Sequence, residues 1–254
     1  INSVKSKSTY VSIGLVFLVL LIDQSLKIWI KTTMTYNQEH LVLGLDWFRL
    51  HFTENPGMAF GMELGGDYGK LALSLFRIVA VGFMVYYIRL LIKQGAHVGL
   101  VASISLILAG AVGNILDSAI YGLIFSESHY HEIATIFPEG GGYAKFLHGK
   151  VVDMLYFPMY EGNLFGLLGE RNFQFFRPVF NIADASITLG VIIILAFQKR
   201  FFANMDKKDD ANVVDDSNNT ETVMTETSNV AIAESEIMET TTPEEFDGSD
   251  SDDD

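Results

Sequence analysis

The chain has 254 residues, 49% of them hydrophobic, with a formal net charge of −14 and no cysteine. The charge is confined to one end: residues 203–254 hold 17 Asp/Glu against Lys207 and Lys208, so residues 1–202 carry about +1, and the acidic total does not describe a globular surface. The lack of cysteine excludes a disulfide framework, a thiolate metal site and a cysteine nucleophile, and no nucleic-acid partner is expected.

Four stretches are long and apolar enough to cross a bilayer of about 30 Å as helices of about 20 residues. The first is expected over about Tyr10–Ile30, interrupted by Asp23 and Lys27. Lys5 and Lys7 ahead of it resemble the start of a secretory leader. The polar run Asp23-Gln24-Ser25-Leu26-Lys27 then stands where a small-residue cleavage site belongs, so a retained helix is expected. A segment over about 31–69 follows, in which Leu41-Val42-Leu43 and Trp47–Phe52 read as short strands. Asn55-Pro56-Gly57 reads as a turn, because Pro fixes φ and Gly admits positive φ. The second span is expected over Leu71–Ile92 and the third over Val98–Leu116.

A second polar segment, about 118–178, carries the turn-prone Gly140-Gly141-Gly142 and the aromatics Phe146, Tyr156, Phe157, Phe165, Phe173, Phe175 and Phe176. Such aromatics suit anchoring at the headgroup level or a clamp over a lipid-bearing substrate. His129 and His131 lie here without a third ligand and read as surface residues, so no metal is expected. The fourth span is expected over Val179–Phe197. Beyond it, residues 203–254 are too polar to offset chain entropy by burial and are expected to be disordered. The organisation read from sequence is thus an α-helical integral membrane domain of four transmembrane helices over 1–202, with a small extracytoplasmic β/loop region, and an acidic tail.

Lys and Arg density sets orientation. Eight fall in about 30 residues of the segments 1–10, 89–97 and 198–208, and eight in about 108 residues of the segments 24–70 and 118–178. Both termini are therefore expected in the cytoplasm.

Polar residues inside membrane spans are costly and need a reason. Asp23 lies near the end of the first span, Asp117 at the end of the third, and Asn181 and Asp184 near the start of the fourth. Spans one and three run the same way and span four runs back, so all three ends share one face. Asn55 and Asp153 lie in the segments joining those ends. Asn114/Asp117 and Asn181/Asp184 are i,i+3 pairs and Asp23/Lys27 is i,i+4, so each pair points one way from its helix. Two carboxylates at such a level are expected to split their ionisations, one charged and one protonated, and to activate water for hydrolysis. A proton-coupled transporter is the competing class, but it needs a polar path through the midplane.

Five segments in order carry a resemblance: Asp23-Gln24-Ser25-Leu26-Lys27, Asn55-Pro56-Gly57-Met58-Ala59-Phe60-Gly61, Gly113-Asn114-Ile115-Leu116-Asp117, Val151-Val152-Asp153 and Phe180-Asn181-Ile182-Ala183-Asp184. With them the chain resembles the lipoprotein signal peptidase (signal peptidase II) family of bacterial inner-membrane aspartic peptidases. The resemblance implies that Asp153 and Asp184 are the catalytic pair. It also implies that Asn55, Gly57, Asn114, Asp117 and Asn181 line or brace the site, and that Asp23 and Lys27 help hold it. It implies removal of signal peptides from prolipoproteins before a diacylglyceryl-modified cysteine, at the outer face of the membrane. No cofactor is implied, and membrane lipids are the surroundings of an expected monomer. Three features depart from the family. Ser118 stands where the family has Arg, leaving Lys150 or Lys27 as the replacement cation. About 35 residues separate Asp117 from Asp153, more than expected, and the acidic tail has no counterpart in the family core.

The charge asymmetry predicts topology directly. A fluorescent reporter fused after residue 201 is expected to fluoresce in the cytoplasm, and alkaline phosphatase inserted near residue 140 to be active; the reverse pattern would invert the orientation.

Overall fold

The first helix, α1, forms over Asn2–Thr33 and extends past the apolar run at both ends. Backbone hydrogen bonding does not require apolar side chains, and the polar ends supply their own support. The Thr9 hydroxyl donates to the Lys5 carbonyl at 2.9 Å, and those of Thr32 and Thr33 donate to Ile28 and Trp29 at 2.7 and 2.6 Å. The computed structural model describes residues 2–56, 66–158, 160–162, 173–175 and 179–201. The expected disordered tail, Gly57, Phe165 and Phe176 lie outside the described residues.

Helix α2 runs over Gly66–Gln94. Its end is a Schellman arrangement: Gly95, at φ 69°, donates to Ile92 at 3.1 Å, and Ala96 donates to Leu91 at 3.0 Å. Glycine suits this left-handed position because it has no Cβ to clash. His97 then caps α3, Val98–Leu116, by accepting from the Gly99 amide at 3.0 Å. The expected limits of this span are met, but the helix continues through a π turn, Asp117–Tyr121, and one α turn, Gly122–Ile124. The fourth helix spans Ile182–Phe201. All four are long and apolar enough to cross a membrane. α1 leaves Ile13, Phe17, Leu18 and Leu21 uncovered, and α2 leaves Phe76, Val79 and Phe83 uncovered. In lipid such surfaces need no protein partner.

A three-stranded antiparallel sheet caps one end of the bundle in the order β1 (Glu39–Val42), β2 (Leu45–Asn55), β3 (Val151–Tyr156). Leu43, read from sequence as part of a strand, is instead a turn residue: Leu43 and Gly44, at φ 53° and 74°, make the two-residue hairpin connection that matches strand twist. β3 is completely buried, and so shows no alternation by which the sequence would mark it as a strand. A second hairpin pairs β4 (Tyr160–Gly162) with β5 (Phe173–Phe175). Ile30, Met34, Phe52, Tyr121, Phe125, Val152 and Met154 pack between the sheet and the helix ends. The residues between Ile124 and β3 fold back on the end of the third span, with Tyr143 donating to Phe125 and Ala144 to Gly122 at 3.1 and 2.9 Å.

The fourth helix lies against α3 and α1 through small residues, the usual route to close approach in lipid. A Cβ at Gly110 would stand 2.2 Å from the Ala183 carbonyl oxygen, and one at Gly113 would stand 2.9 Å from an Asp23 carboxylate oxygen. Gly110→Ala is expected to push the fourth helix away just where Asp184 follows Ala183, costing about 1–3 kcal/mol. Thermal unfolding of the protein in detergent checks this; an unchanged midpoint would contradict the contact.

Candidate active site

The start of the fourth helix is held by three side chains. Asn181 is its N-cap: its side-chain oxygen accepts from the Asp184 amide at 2.8 Å, while Asp184 accepts from the Asn181 amide at 3.4 Å. This reciprocal pair is a capping box with Asn and Asp in the usual roles of Ser and Glu. Asp23 from α1 accepts from the next amide, Ala183, at 2.9 Å. The cap explains why the helix starts at Ile182 rather than Val179. Just before it, Phe180 bridges Leu155 of β3, with hydrogen bonds of 3.0 and 2.7 Å. The chain is therefore extended there, and Asp184 is pinned beside β3.

Lys27 is the centre of the charged cluster. Its ammonium lies 2.9 Å from Asp23 and 2.8 Å from Asp117, and all three side chains are fully buried. It also donates to the Asn114 side-chain oxygen at 3.1 Å. Asp117 occupies the first position of the π turn, a feature often found at functional sites. It accepts from Gln24 at 2.9 Å and from the Val152 amide at 3.2 Å. That last bond fixes β3 one residue before Asp153.

Asp153 is 4% exposed and accepts from the Asn181 side-chain amide at 2.7 Å. Burial, and then the negative charge of Asp184, push its carboxyl up to about 7. Asp184 is only partly buried and accepts from the Asn114 side-chain amide at 2.8 Å. Asn181 also donates to Asn114 at 3.2 Å. One asparagine thus touches both carboxylates, and a second ties Asp184 to Lys27. Chemically the arrangement is a pair of carboxyl groups with split environments, the pattern that lets one accept a proton while the other supplies one.

Of the residues singled out in the sequence, Asp23, Lys27, Asn114, Asp117, Asp153, Asn181 and Asp184 come together. Asn55 ends β2, opposite Val151 in the β3 register; Gly57 lies outside the described residues. Of the two cations weighed against Ser118, Lys27 meets Asp117. Lys150 instead lies 3.0 Å from Glu127 and 3.7 Å from Glu54, and the Ser118 hydroxyl donates to the Asn114 carbonyl at 3.1 Å. His129 and His131 are exposed. Sequence reasoning passed over Gln24 and Tyr121, which bond each other at 3.2 Å, although Gln24 adjoins Asp23. It also passed over Arg77, a charge inside the second span, whose charge interactions are with Asp184 and then Asp117. A second buried group, Lys31 with Glu54 and Ser128, ties α1 to β2 and to the segment after the third span.

A family model described as "Signal peptidase (SPase) II" matches residues 15–199. The lipoprotein signal peptidase of Porphyromonas gingivalis is 51% identical over 191 residues, covering 74% of this chain and 82% of that protein. That of Amoebophilus asiaticus is 35% identical over 223 residues, covering 85% of this chain and 89% of that protein. A solved bacterial membrane enzyme is 27% identical with a TM-score of 0.47, over 74% of this chain and 87% of that one.

The Lys27 cluster generates a stability prediction. Lys27→Met leaves Asp23 and Asp117 buried without their cation and is expected to cost about 3–5 kcal/mol. Adding Asp117→Asn should return part of that loss. Thermal unfolding of the single and double variants measures both, and strictly additive losses would contradict the pairing.

Proposed function

The chain belongs to the signal peptidase II family, whose curated relatives are lipoprotein signal peptidases, and from this we propose that it is an aspartic endopeptidase using Asp153 and Asp184 as its acid–base pair. It is a peptidase with membrane-spanning helices. The proposed substrate is a prolipoprotein whose cysteine carries diacylglycerol, cut just before that cysteine. The proposed setting is the outer face of the bacterial inner membrane, with both termini in the cytoplasm. Residues 1–202 form the proposed peptidase domain and residues 203–254 an appended acidic segment.

One observation carries the mechanism: Asn181 bonds the buried Asp153 and, through the cap, Asp184, so two carboxyl groups of unlike exposure face one place. Water between them gives a proton to the ionised member while its oxygen attacks the scissile carbonyl carbon. The protonated member gives its proton to the carbonyl oxygen. The tetrahedral species then collapses: the peptide C–N bond breaks, the amine leaves with the proton taken from water, and the hydroxyl proton returns to its donor. No acyl-enzyme forms. Asn114, Asp117, Asn181, Asp23 and Lys27 hold the pair in place, and Asn55 lines the approach from β2.

Purified protein is expected to cleave a diacylglyceryl-modified prolipoprotein, with Asp153→Asn and Asp184→Asn each slower by about 10²–10⁴-fold while still folded. As pH rises through about 7, Asp153 gives up its proton and the pair loses the proton needed by the carbonyl oxygen. The alkaline limb of kcat/KM should therefore fall in that region, as a property of the pair. Full activity in either folded variant would sink the assignment.

A further inference from the structure

Arg77 is a guanidinium well inside an apolar helix. The second span begins at Gly69, so Arg77 lies eight residues in, about 12 Å at 1.5 Å per residue. A charge at that depth is costly in lipid and marks a functional position.

Helix α2 docks through one face. Lys70 donates to the His148 carbonyl at 2.6 Å, and the Ser74 hydroxyl donates to that of Leu147 at 3.2 Å. Arg77 stands one turn further along this face. It is partly buried, whereas Phe76 and Val79 beside it are 70% and 71% exposed. Long side chains on a helix lean toward its N-terminus, here the end fastened at Leu147 and His148. The guanidinium is thereby directed back toward the level of β3 and the start of the fourth helix. Its charge interactions, with Asp184 foremost and Asp117 next, agree with that direction.

The charged and polar groups around the carboxyl pair come from every neighbouring element. Asp23 and Lys27 approach from α1, Asn114 and Asp117 from the third span, Asp153 from β3, Asn181 from the helix cap, and Arg77 from α2. The Lys27 ammonium is already held by Asp23, Asp117 and Asn114. Lys150 is held by Glu127 and Glu54. Lys27 and Lys150 thus have carboxylate partners of their own, whereas the charge of Arg77 interacts with both Asp184 and Asp117. Asp184 also receives the Asn114 side-chain amide and the Asn181 backbone amide, while Asp153 lies deeper, 4% exposed.

We propose that Arg77 is a positioning residue that holds Asp184 as the anionic member of the carboxyl pair and leaves the shared proton on Asp153. Asp184 then takes the proton from water, and Asp153 protonates the scissile carbonyl oxygen. This rests on the reading of Asp153 and Asp184 as the acid–base pair.

The chain has no cysteine, so Arg77→Cys supplies a single thiol whose charge can be varied in one folded sample. Cleavage of a diacylglyceryl-modified prolipoprotein is followed across the acid limb of kcat/KM for wild type, Arg77→Cys and Arg77→Lys. The thiol is left free, converted to its ethylammonium disulfide or converted to its methyl disulfide with methanethiosulfonate reagents. Loss of the cation should move the acid limb of Arg77→Cys upward by about one pH unit or more. The ethylammonium adduct should return it toward wild type, the methyl adduct should not, and Arg77→Lys should keep it. KM should change less than kcat. An unmoved acid limb in Arg77→Cys, or equal rescue by both adducts, would overturn the proposal, because packing alone would then explain Arg77. If Arg77→Cys does not fold, Arg77→Lys decides: a wild-type limb upholds the role of charge, and a limb displaced in folded Arg77→Lys overturns it. Full activity in Asp153→Asn or Asp184→Asn would instead remove the pair itself, so the two failures are told apart.

Discussion

A lysine ammonium closed off from water between two carboxylates is the constraint on which the rest of this site depends. Lys27 joins Asp23 of its own helix to Asp117 at the end of the third span. Each carboxylate then makes a bond to backbone elsewhere: Asp23 to the Ala183 amide and Asp117 to the Val152 amide. Those two amides immediately precede Asp184 and Asp153. The cluster is therefore a gauge for the carboxyl pair, setting the fourth helix and β3 relative to α1 and to each other. A buried ion pair adds little net stability compared with apolar packing, but breaking it is costly. Its value here is in register.

The start of the fourth helix supplies a second constraint. The first amides of a helix have no partners within it and must find them elsewhere. Asn181 and Asp23 satisfy two of them. The partial positive charge of the helix start favours an anion nearby, and Asp184 sits in the first turn. Asp153 has no helix start of its own; it lies on a strand buried on both faces. The two carboxyls thus differ in surroundings because of the elements that carry them.

Much of this was legible in the sequence, for a reason that can be stated. Membrane spans are marked by length and apolarity alone, so the start of the third span at Val98 was legible, while its continuation through the π turn to Ile124 was not. Charged residues within them are rare enough to stand out, and helix parity put their ends on one face. Asp23, Asn114, Asp117 and Asp184 could be grouped before any contact was known. β3 was harder to see, because Val151–Tyr156 is buried throughout and carries no alternating pattern. The cap at Asn181 was hidden inside an apolar run, so the helix was read as starting at Val179. Gln24 was passed over because an amide beside an aspartate looks ordinary until its three acceptors, Asp23, Gly113 and Asp117, are seen together. Arg77 was legible by the same rule that selected Asp23 and Lys27, a charge inside an apolar helix. Ser74, three residues before it, makes no recognisable motif with it, and α2 was thus read only as a span.

The same demand explains why structural and chemical roles fall on the same few residues. A polar group at membrane depth has to meet another polar group, so any cluster that closes the backbone bonds of a helix start already concentrates charge at one level. Asn114 illustrates the economy: its oxygen accepts from Lys27 and Asn181 while its amide reaches Asp184. The glycines at 110 and 113 let the fourth helix come close enough for those short side chains to span the gap. Longer polar side chains could bridge a wider separation, but with more rotamers and looser aim. Small residues at the helix contacts and short polar residues at the helix start are thus two parts of one arrangement: close packing makes short carboxylates and amides sufficient, and their shortness makes the geometry rigid.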